Sequence, residues 1–213
     1  MSATTDLTIR PARPDDAPVA AELLYQTMLW EGDYMFGCDP RHTVLETLVG
    51  LFLSADGRLS YRYAFIAEKD AQIAGLLVAY PGETVPRLNT ATSRYLFGHF
   101  SLVALIRLAW RSLAIAGPEA GRGEYYISNV AILPRFQGHG IGSRLLAFAE
   151  HQARSAGLNR VSLCVDMDND GAFRLYQRTG YRVILTHFYK PRAIPPASKG
   201  YRRMVKTLSP VPA

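Results

Sequence analysis

A loop with three glycines, Gly138, Gly140 and Gly142, stands between a strand-like segment and a helix-like segment. Because glycine has no side chain, the backbone of such a loop can approach a ligand closely. The first turn of the helix that follows offers unpaired N–H groups and a dipole that favours an anion. This arrangement predicts a site for a phosphate group, but it does not identify the molecule that carries the phosphate.

The loop does not match two familiar phosphate-binding patterns. A dinucleotide-binding loop reads G-x-G-x-x-G, whereas this one reads G-H-G-I-G, although Asp166 or Asp168 after the next strand could serve as a ribose-binding acid. A nucleotide P-loop requires Gly-Lys followed by Ser or Thr, and the chain has no such triplet. The glycines could also form only a tight turn. The pattern that does match is Q-x-x-G-x-G/A, with Gln137, Gly140 and Gly142 in its fixed positions.

The elements that position this loop follow from the pattern of apolar residues. Alternating apolar residues predict strands, and apolar residues spaced three and four apart predict helices. The predicted strands are residues 7–12, a hairpin over 63–82 with its turn around 69–72, and residues 123–134, 160–165, 181–189 and 200–208. The predicted helices are residues 14–30, 40–54, 100–117, 140–157 and 168–180.

The order of these elements predicts an α/β fold of the α+β type, built on one mixed, mostly antiparallel sheet with helices on both faces. Residues 125–165 form a strand–helix–strand crossover, which joins parallel strands and should be right-handed. The chain contains no linker long enough to divide it, so residues 1–213 are predicted to form a single domain. Residues 83–120 interrupt the alternation and are predicted to be a helical insert.

Composition and charge narrow the function classes. The apolar fraction of 48% and the charged fraction of 20% are those of a globular protein. The net charge of +6 comes from scattered arginines rather than from a basic run, so nucleic acid is not an expected partner. Cys38 and Cys164 do not suggest a disulfide framework, which favours a reducing compartment. The histidines show no ligand spacing, so no metal is predicted.

Membrane association is not predicted either. Arg107 and Arg111 interrupt the most apolar segment, residues 100–117, well short of the roughly 20 apolar residues that a bilayer span requires. The first residues lack the basic start and the apolar core of a signal peptide. We therefore expect a cytoplasmic protein.

The glycine loop resembles the coenzyme A loop of the GCN5-related N-acetyltransferases, the GNAT family. A second segment, NDGAFRLYQRTGY, is similar to the family pattern N-x-x-A-x-x-L-Y-x-x-x-G-F/Y. The positions that match this pattern are Asn169, Ala172, Leu175, Tyr176, Gly180 and Tyr181. The opening IRPARPDDA and the final MVKTL also resemble the family's first and last strands. The resemblance therefore covers nearly the whole chain except residues 83–120, and it implies the GNAT fold.

The resemblance implies acetyl-CoA as the co-substrate. Its pyrophosphate would lie against backbone N–H groups of the loop, and its pantetheine arm would pair with the preceding strand. The residues implied for the loop are Gln137, Gly138, His139, Gly140, Ile141, Gly142 and Ser143, with His139 as an exposed spacer. Those implied for the pantetheine arm are Val130, Ala131, Ile132 and Asn169. Asn169 could also serve only as a helix cap.

The implied reaction is direct transfer of an acetyl group to a primary amine within a ternary complex. A lysine-like amine, with a pKa of about 10.4, is neutral only on the order of one part in a thousand near pH 7, so a general base would help. Glu124, 13 residues before Gln137, stands where histone-acetylating members carry that base, but it could be a solvated strand end. Tyr176 stands where the family often places the acid for the leaving thiolate, but it could be a core aromatic.

The acceptor stays open between a small-molecule amine and an amine of a protein or peptide. Two other functions stay open as well: a catalytically silent CoA-binding module and, less favoured, a nucleotide- or NAD-binding protein. The apolar helix within residues 83–120 is expected to cover the acceptor pocket or to form a homodimer contact. Arg107 and Arg111, one turn apart, are expected to mark its solvent side.

Overall fold

A seven-stranded sheet organises the chain. The computed structural model describes residues 7–28, 30–37, 43–190 and 197–209. The strands are β1 (Leu7–Pro11), β2 (Ala64–Lys69), β3 (Gln72–Pro81), β4 (Tyr125–Ile132), β5 (Arg160–Asp166), β6 (Arg182–Phe188) and β7 (Gly200–Thr207). Their order is β1-β2-β3-β4-β5-β7-β6, and each neighbouring pair is antiparallel except β4 with β5. The predicted mixed, mostly antiparallel sheet is confirmed.

Helices cover both faces of this sheet, as predicted. Within the described residues they are α1 (Ala17–Met28), α2 (Glu31–Phe36), α3 (Val44–Leu53), α4 (Val85–His99), α5 (Leu102–Ile115), α6 (Ile141–Ser155) and α7 (Asp170–Arg178). Successive residues of a strand point to opposite faces. Leu76 and Val78 of β3 accordingly join the core beneath α1 and α3, whereas Leu77 and Ala79 join the core beneath α6. Because β3 is buried on both faces, it reads as a continuous apolar run.

The predicted hairpin is β2 and β3. Its two-residue turn, Asp70 and Ala71, has positive φ angles of 52° and 59°. Two central residues with positive φ match the right-handed twist of the flanking strands. The turn thus sets the register in which Lys69 faces Gln72.

α2 was not predicted, and α4, although it lies within the predicted helical insert, was not assigned as a separate helix. The first has only six residues, too few for a periodic pattern to be recognised. The second buries only Leu88 and Leu96, so its apolar signal is weak. The helix predicted over residues 40–54 begins at Val44, because Thr43 forms a capping box with Glu46. The first residues of that prediction, 40–42, lie outside the described residues.

The orientation of α5 differs from the expectation. Its buried residues are Ala104, Leu108 and Ala114, on one narrow face. Arg111 packs inward rather than facing solvent: its guanidinium donates to the Tyr34 carbonyl oxygen of α2 and lies 5.4 Å from the centre of the Tyr34 ring. The side chains that α5 exposes instead are Leu102, Val103, Ile106, Trp110 and Leu113. The prediction that both arginines mark the solvent side was therefore wrong for Arg111. Over the described ranges, each helix is too short or too polar to cross a bilayer.

Candidate active site

A cleft of about 660 Å³ lies where β4 and β5 separate. The two strands pair only from Tyr125 with Val161 to Ile127 with Leu163. Ser128 and Cys164, the next residues of the two strands, line the cleft at this point of separation, and the glycine loop lines it beyond the other end of β4. The separation leaves backbone groups of β4 without a strand partner on that side, so an extended ligand could pair with them.

The glycine loop has the geometry that close backbone approach requires. Gly138 and Gly140 have φ angles of 78° and 75°, in the left-handed region that favours glycine. The side-chain amide of Gln137 donates to the Ile132 carbonyl oxygen at 3.2 Å, which ties the loop back to β4. Helix α6 begins directly after the loop, so the N–H groups of its first turn point into this end of the cleft. The arrangement can bind a phosphate.

Most residues of the predicted cofactor set lie around this cleft. Those that line it are Val130, Ala131, Ile132, Gln137, Gly138, Gly140, Ile141, Gly142, Ser143 and Asn169. His139 does not: it is exposed, and its Nδ1 lies 2.9 Å from the Gln137 carbonyl oxygen. This placement agrees with its expected position as a spacer. The contacts of these residues with acetyl-CoA stay predictions.

Asn169 has a place in the structure that fits both of the roles considered for it. Its Oδ1 accepts a hydrogen bond from the Ala172 N–H at 3.1 Å and so caps α7. The same residue lines the cleft. The cap uses only the side-chain oxygen. The side-chain N–H₂ group makes no hydrogen bond with the described residues, so it could donate to a ligand.

Tyr176 lies on α7, buried in the core beneath α6, and also lines the cleft. Its ring centre is 6.1 Å from that of Tyr181. Burial raises the pKa of the Tyr176 phenol to about 12. The phenol is therefore protonated throughout the physiological range and can donate a proton or a hydrogen bond.

Glu124 lies outside the cleft, immediately before β4. It is buried, and its carboxylate pairs with Arg203 and, at 3.1 Å, with Arg160, while the Gly121 N–H donates to it at 2.8 Å. Burial would raise the pKa of Glu124, but the hydrogen bond from Gly121 and the Arg203 charge outweigh burial and lower it. A fully paired carboxylate with a lowered pKa is a weak base. These contacts argue against the predicted catalytic role and indicate a structural one.

Glu124→Gln is expected to destabilise the fold by about 3–5 kcal/mol, because it leaves the buried Arg203 charge without its partner. The pKa of Glu124 is lowered in the folded state, so its stabilisation is present at neutral pH and is lost as the pH falls through the lowered value. Urea unfolding at pH 7 measures the loss, with the exposed Glu83→Gln as control. Unchanged stability together with a large loss of kcat would instead restore Glu124 as the base.

Cys164 lines the cleft where β4 and β5 separate, but it is not a reactive thiol. Burial raises the pKa of Cys164, and the nearby Glu119 carboxylate raises it further. A thiol that stays protonated at neutral pH is a weak nucleophile. Its Sγ lies 3.7 Å from the Glu119 carbonyl oxygen, which it can contact as a weak donor. These features favour a packing role for Cys164, whereas Cys38 lies outside the described residues.

Sequence reasoning missed several residues around the cleft. Gln26 and Thr27 of α1 line it, and the Asn129 side-chain amide donates to the Thr27 hydroxyl at 2.8 Å. Asp166, considered only as a ribose-binding acid, lines the cleft at the end of β5, and Arg178 lines it from α7. No local pattern marks these residues, because they reach the cleft from four separate elements, α1, β4, β5 and α7.

The fold is shared with solved structures of acetyltransferases. A crystal structure of an acetyltransferase superposes with a TM-score of 0.69 over 95% of this chain and 100% of the other, at 23% identity. An N-acetyltransferase from Staphylococcus aureus also superposes with a TM-score of 0.69, over 93% of this chain and 100% of the other, at 24% identity. At such identities the likeness concerns the fold.

The sequence model of the acetyltransferase (GNAT) family matches residues 26–181, more than half of the chain. The chain therefore belongs to the GNAT family, as its two motifs predicted. A mycothiol acetyltransferase from Mycobacteroides abscessus is 42% identical over 66 residues, 31% of this chain and 22% of the relative. An aminoalkylphosphonate N-acetyltransferase from Salmonella typhimurium is 38% identical over 68 residues, 32% of this chain and 43% of the relative. The matches thus span less than half the length of these curated relatives.

Proposed function

We propose that this protein transfers an acetyl group from acetyl-CoA to a primary amine. The observation that carries the proposal is the cleft between β4 and β5, which runs from the point of strand separation to the glycine loop. Its shape suits a long ligand with a phosphate at one end. Family membership supports acetyl-CoA as that ligand. One solved neighbour of the same fold, the NatC complex, has CoA bound.

The cofactor would lie along the cleft in one direction. Its pyrophosphate would meet the N–H groups of residues 138–143, where the α6 dipole favours an anion. Its pantetheine arm would pair with the backbone of Val130, Ala131 and Ile132, with Asn169 donating from α7. The thioester would then lie where β4 and β5 separate, beside Ser128 and Tyr176.

The reaction would be direct transfer within a ternary complex. The amine nitrogen attacks the thioester carbonyl carbon, and the carbon–sulfur bond breaks as the amide forms. Tyr176 donates its phenolic proton to the departing sulfur, because its raised pKa keeps it protonated. The raised pKa of Cys164 supports a mechanism without an acyl-cysteine intermediate.

The alternatives make different predictions for two simple measurements. Acetyl-CoA should raise the melting temperature more than NADH or ATP, because a ligand that binds only the native state stabilises it. Release of free thiol from acetyl-CoA, dependent on an added amine, would then separate an enzyme from a silent CoA-binding module. Stabilisation by NADH or ATP in place of acetyl-CoA would contradict the cofactor assignment. Stabilisation by acetyl-CoA without thiol release across a broad amine panel would support the silent module.

We further propose that residues 1–213 act as one domain in which residues 83–120 are an insert. Leu88, Leu96 and Phe100 of this insert belong to the same core as α1 and α3, which supports the proposal. α5 packs on α2, which packs on α1, and Gln26 and Thr27 of α1 line the cleft, which supports a role of the insert near the acceptor pocket. The homodimer contact stays a prediction, and the exposed apolar residues of α5 are the surface that it would use.

A further inference from the structure

Three aromatic rings lie together beside the cleft, at the start of α2. The Trp30 ring centre is 5.4 Å from that of Tyr34 and 5.6 Å from that of Tyr189. The Trp30 indole N–H donates to the Asp166 carboxylate at 3.1 Å. Because Asp166 lines the cleft, this bond fixes the aromatic group at the cleft's edge. Glu31 directly follows Trp30 as the first residue of α2, and the Glu119 carbonyl oxygen contacts the Sγ of Cys164, which lines the cleft. We call the three rings with Glu31, Glu119 and Asp166 the acid–aromatic cluster.

The three carboxylates of the cluster differ in how they are paired. Glu119 forms an ion pair with Arg58 and accepts a hydrogen bond from the Tyr126 hydroxyl at 3.3 Å. Asp166 accepts from Trp30 and, at 2.9 Å, from the Ser198 hydroxyl. Glu31 differs from both, because its carboxylate makes no hydrogen bond or ion pair with any residue that the structure describes. A carboxylate without a partner in a poorly solvated position is costly unless a ligand completes it.

The surroundings of Glu31 adjust its proton affinity. Poor solvation raises the pKa of Glu31 to about 7, with smaller contributions from the carboxylates of Glu119 and Asp166, while the Arg58 charge opposes the rise. A group with a pKa near the working pH is well suited to accept a proton during a reaction. A further titratable neighbour is Tyr189, whose own pKa is raised by burial and by the charges of Glu31 and Asp166.

The cluster and Tyr176 lie on opposite sides of the opening in the sheet. Tyr176 packs in the core beneath α6. The cluster adjoins Cys164 and Tyr126, which pack with the core beneath α1. An amine that enters from the cluster would therefore approach the thioester from one side, while the proton donor for the sulfur stands on the other.

We propose that Glu31 removes a proton from the ammonium group of the acceptor, and that the acceptor is a primary amine without an anionic group near the nitrogen. This inference rests on the proposed acetyl transfer. The cluster has an excess of negative charge because Arg58 is paired with Glu119 and Arg203 with Glu124, while Glu31 and Asp166 have no cationic partner among the residues that the structure describes. Arg111, another nearby cation, lies over the Tyr34 ring. An ammonium group would gain from the acids and from the aromatic rings, whereas a phosphonate or carboxylate would be repelled.

The protons balance as follows. Two leave the acceptor nitrogen: Glu31 takes one from the ammonium before attack and releases it to solvent. The departing thiolate takes the phenolic proton of Tyr176. The resulting Tyr176 phenolate takes up the second proton of the nitrogen as the amide forms. The products are the N-acetylated amine, CoA with a free thiol, and one proton released.

The test uses the full chain, saturating acetyl-CoA and release of free thiol. Putrescine and tryptamine are the cationic probes, and 2-aminoethylphosphonate and glycine are the anionic ones. We expect kcat/KM for the cationic amines to be at least about tenfold higher than for the anionic amines. After correction for the ionisation of the amine itself, kcat/KM should rise with pH through about 7. Glu31→Gln should lower it by about 10²-fold and remove this rise, while Glu31→Asp retains part of the activity. The exposed Glu22→Gln is the matched control and should behave like wild type.

Melting temperature and acetyl-CoA affinity distinguish the ways in which the inference could fail. Acetyl-CoA affinity should be unchanged in Glu31→Gln, since the residue does not line the cofactor cleft, and the melting temperature should not fall, since the substitution removes a poorly solvated carboxylate. A Glu31→Gln protein that keeps its activity and the rise near pH 7 overturns the base role. Faster transfer to the anionic amines overturns the acceptor class, while leaving acetyl transfer intact. A wild-type protein that transfers to none of the four amines overturns the inference about the acceptor, and a broad amine panel then tests the proposed function separately.

Discussion

Gly140→Glu is expected to weaken acetyl-CoA binding by at least about 10²-fold, the largest effect on the cofactor among the substitutions considered. The substitution puts a carboxylate at the N-terminus of α6, where the pyrophosphate is expected to bind. Repulsion between two like charges at close range costs several kcal/mol, and each 1.4 kcal/mol is tenfold in affinity. Calorimetric titration with acetyl-CoA measures the change.

Gly157→Glu provides a matched control at the other end of α6. Gly140 and Gly157 have nearly equal φ angles, 75° and 73°, and a Cβ at either position would meet no atom within 4 Å. The backbone strain of a side chain in the left-handed region, about 1–2 kcal/mol, is therefore the same in both variants. Gly157→Glu should bind acetyl-CoA normally. Equal affinity in the two variants would show that the loop does not hold the pyrophosphate.

Tyr176→Phe is expected to lower kcat by about 10²-fold, within the usual range for loss of a general acid. The substitution keeps the ring and its packing against Tyr181, and it removes only the hydroxyl that would protonate the thiolate. The dissociation constant of acetyl-CoA and the melting temperature should hardly change. Steady-state kinetics with a saturating amine, together with thermal unfolding, separate these effects.

The control for this prediction is Tyr125→Phe. Tyr125 is buried in the same core as Tyr176 but does not line the cleft, and its hydroxyl makes only a long contact of 3.5 Å with the Ala79 carbonyl oxygen. Its loss should leave kcat unchanged. If Tyr176→Phe behaves in the same way, with kcat intact and the melting temperature lowered, Tyr176 is a core residue and the acid lies elsewhere.

Much of the fold could be predicted from the sequence because its strands and helices have strong local patterns. The β2–β3 hairpin, the crossover through α6 and the last two strands were expected near their observed bounds. The missed α2 is too short to give a clear period, and α4, which was expected only as part of a helical insert, is too polar on most faces for its bounds to be recognised. The missed α2 matters most, because it carries Glu31.

The candidate cofactor residues were recognisable because their roles depend on local backbone geometry. Gly138 and Gly140 occupy left-handed conformations, and Asn169 caps the helix that begins at the next residue. Such requirements are met by residues close together in the chain, so a spacing pattern records them. The same holds for Tyr176, which is seven residues from Asn169 on one helix and lines the same cleft.

The sequence by itself determined the family, the glycine loop and the helix that follows β5, while the tertiary structure decided the charges and the solvation around each acid. Glu124 is paired by Arg203, a residue 79 positions away, and Trp30 reaches Asp166 across 136 positions. The pKa of a carboxyl depends on the charges and the solvent around it, and folding brings these together from distant segments. The two glutamates therefore have opposite properties: Glu124 has a lowered pKa in a closed ion pair, and Glu31 has a raised pKa in a poorly solvated position near the charges of Glu119 and Asp166.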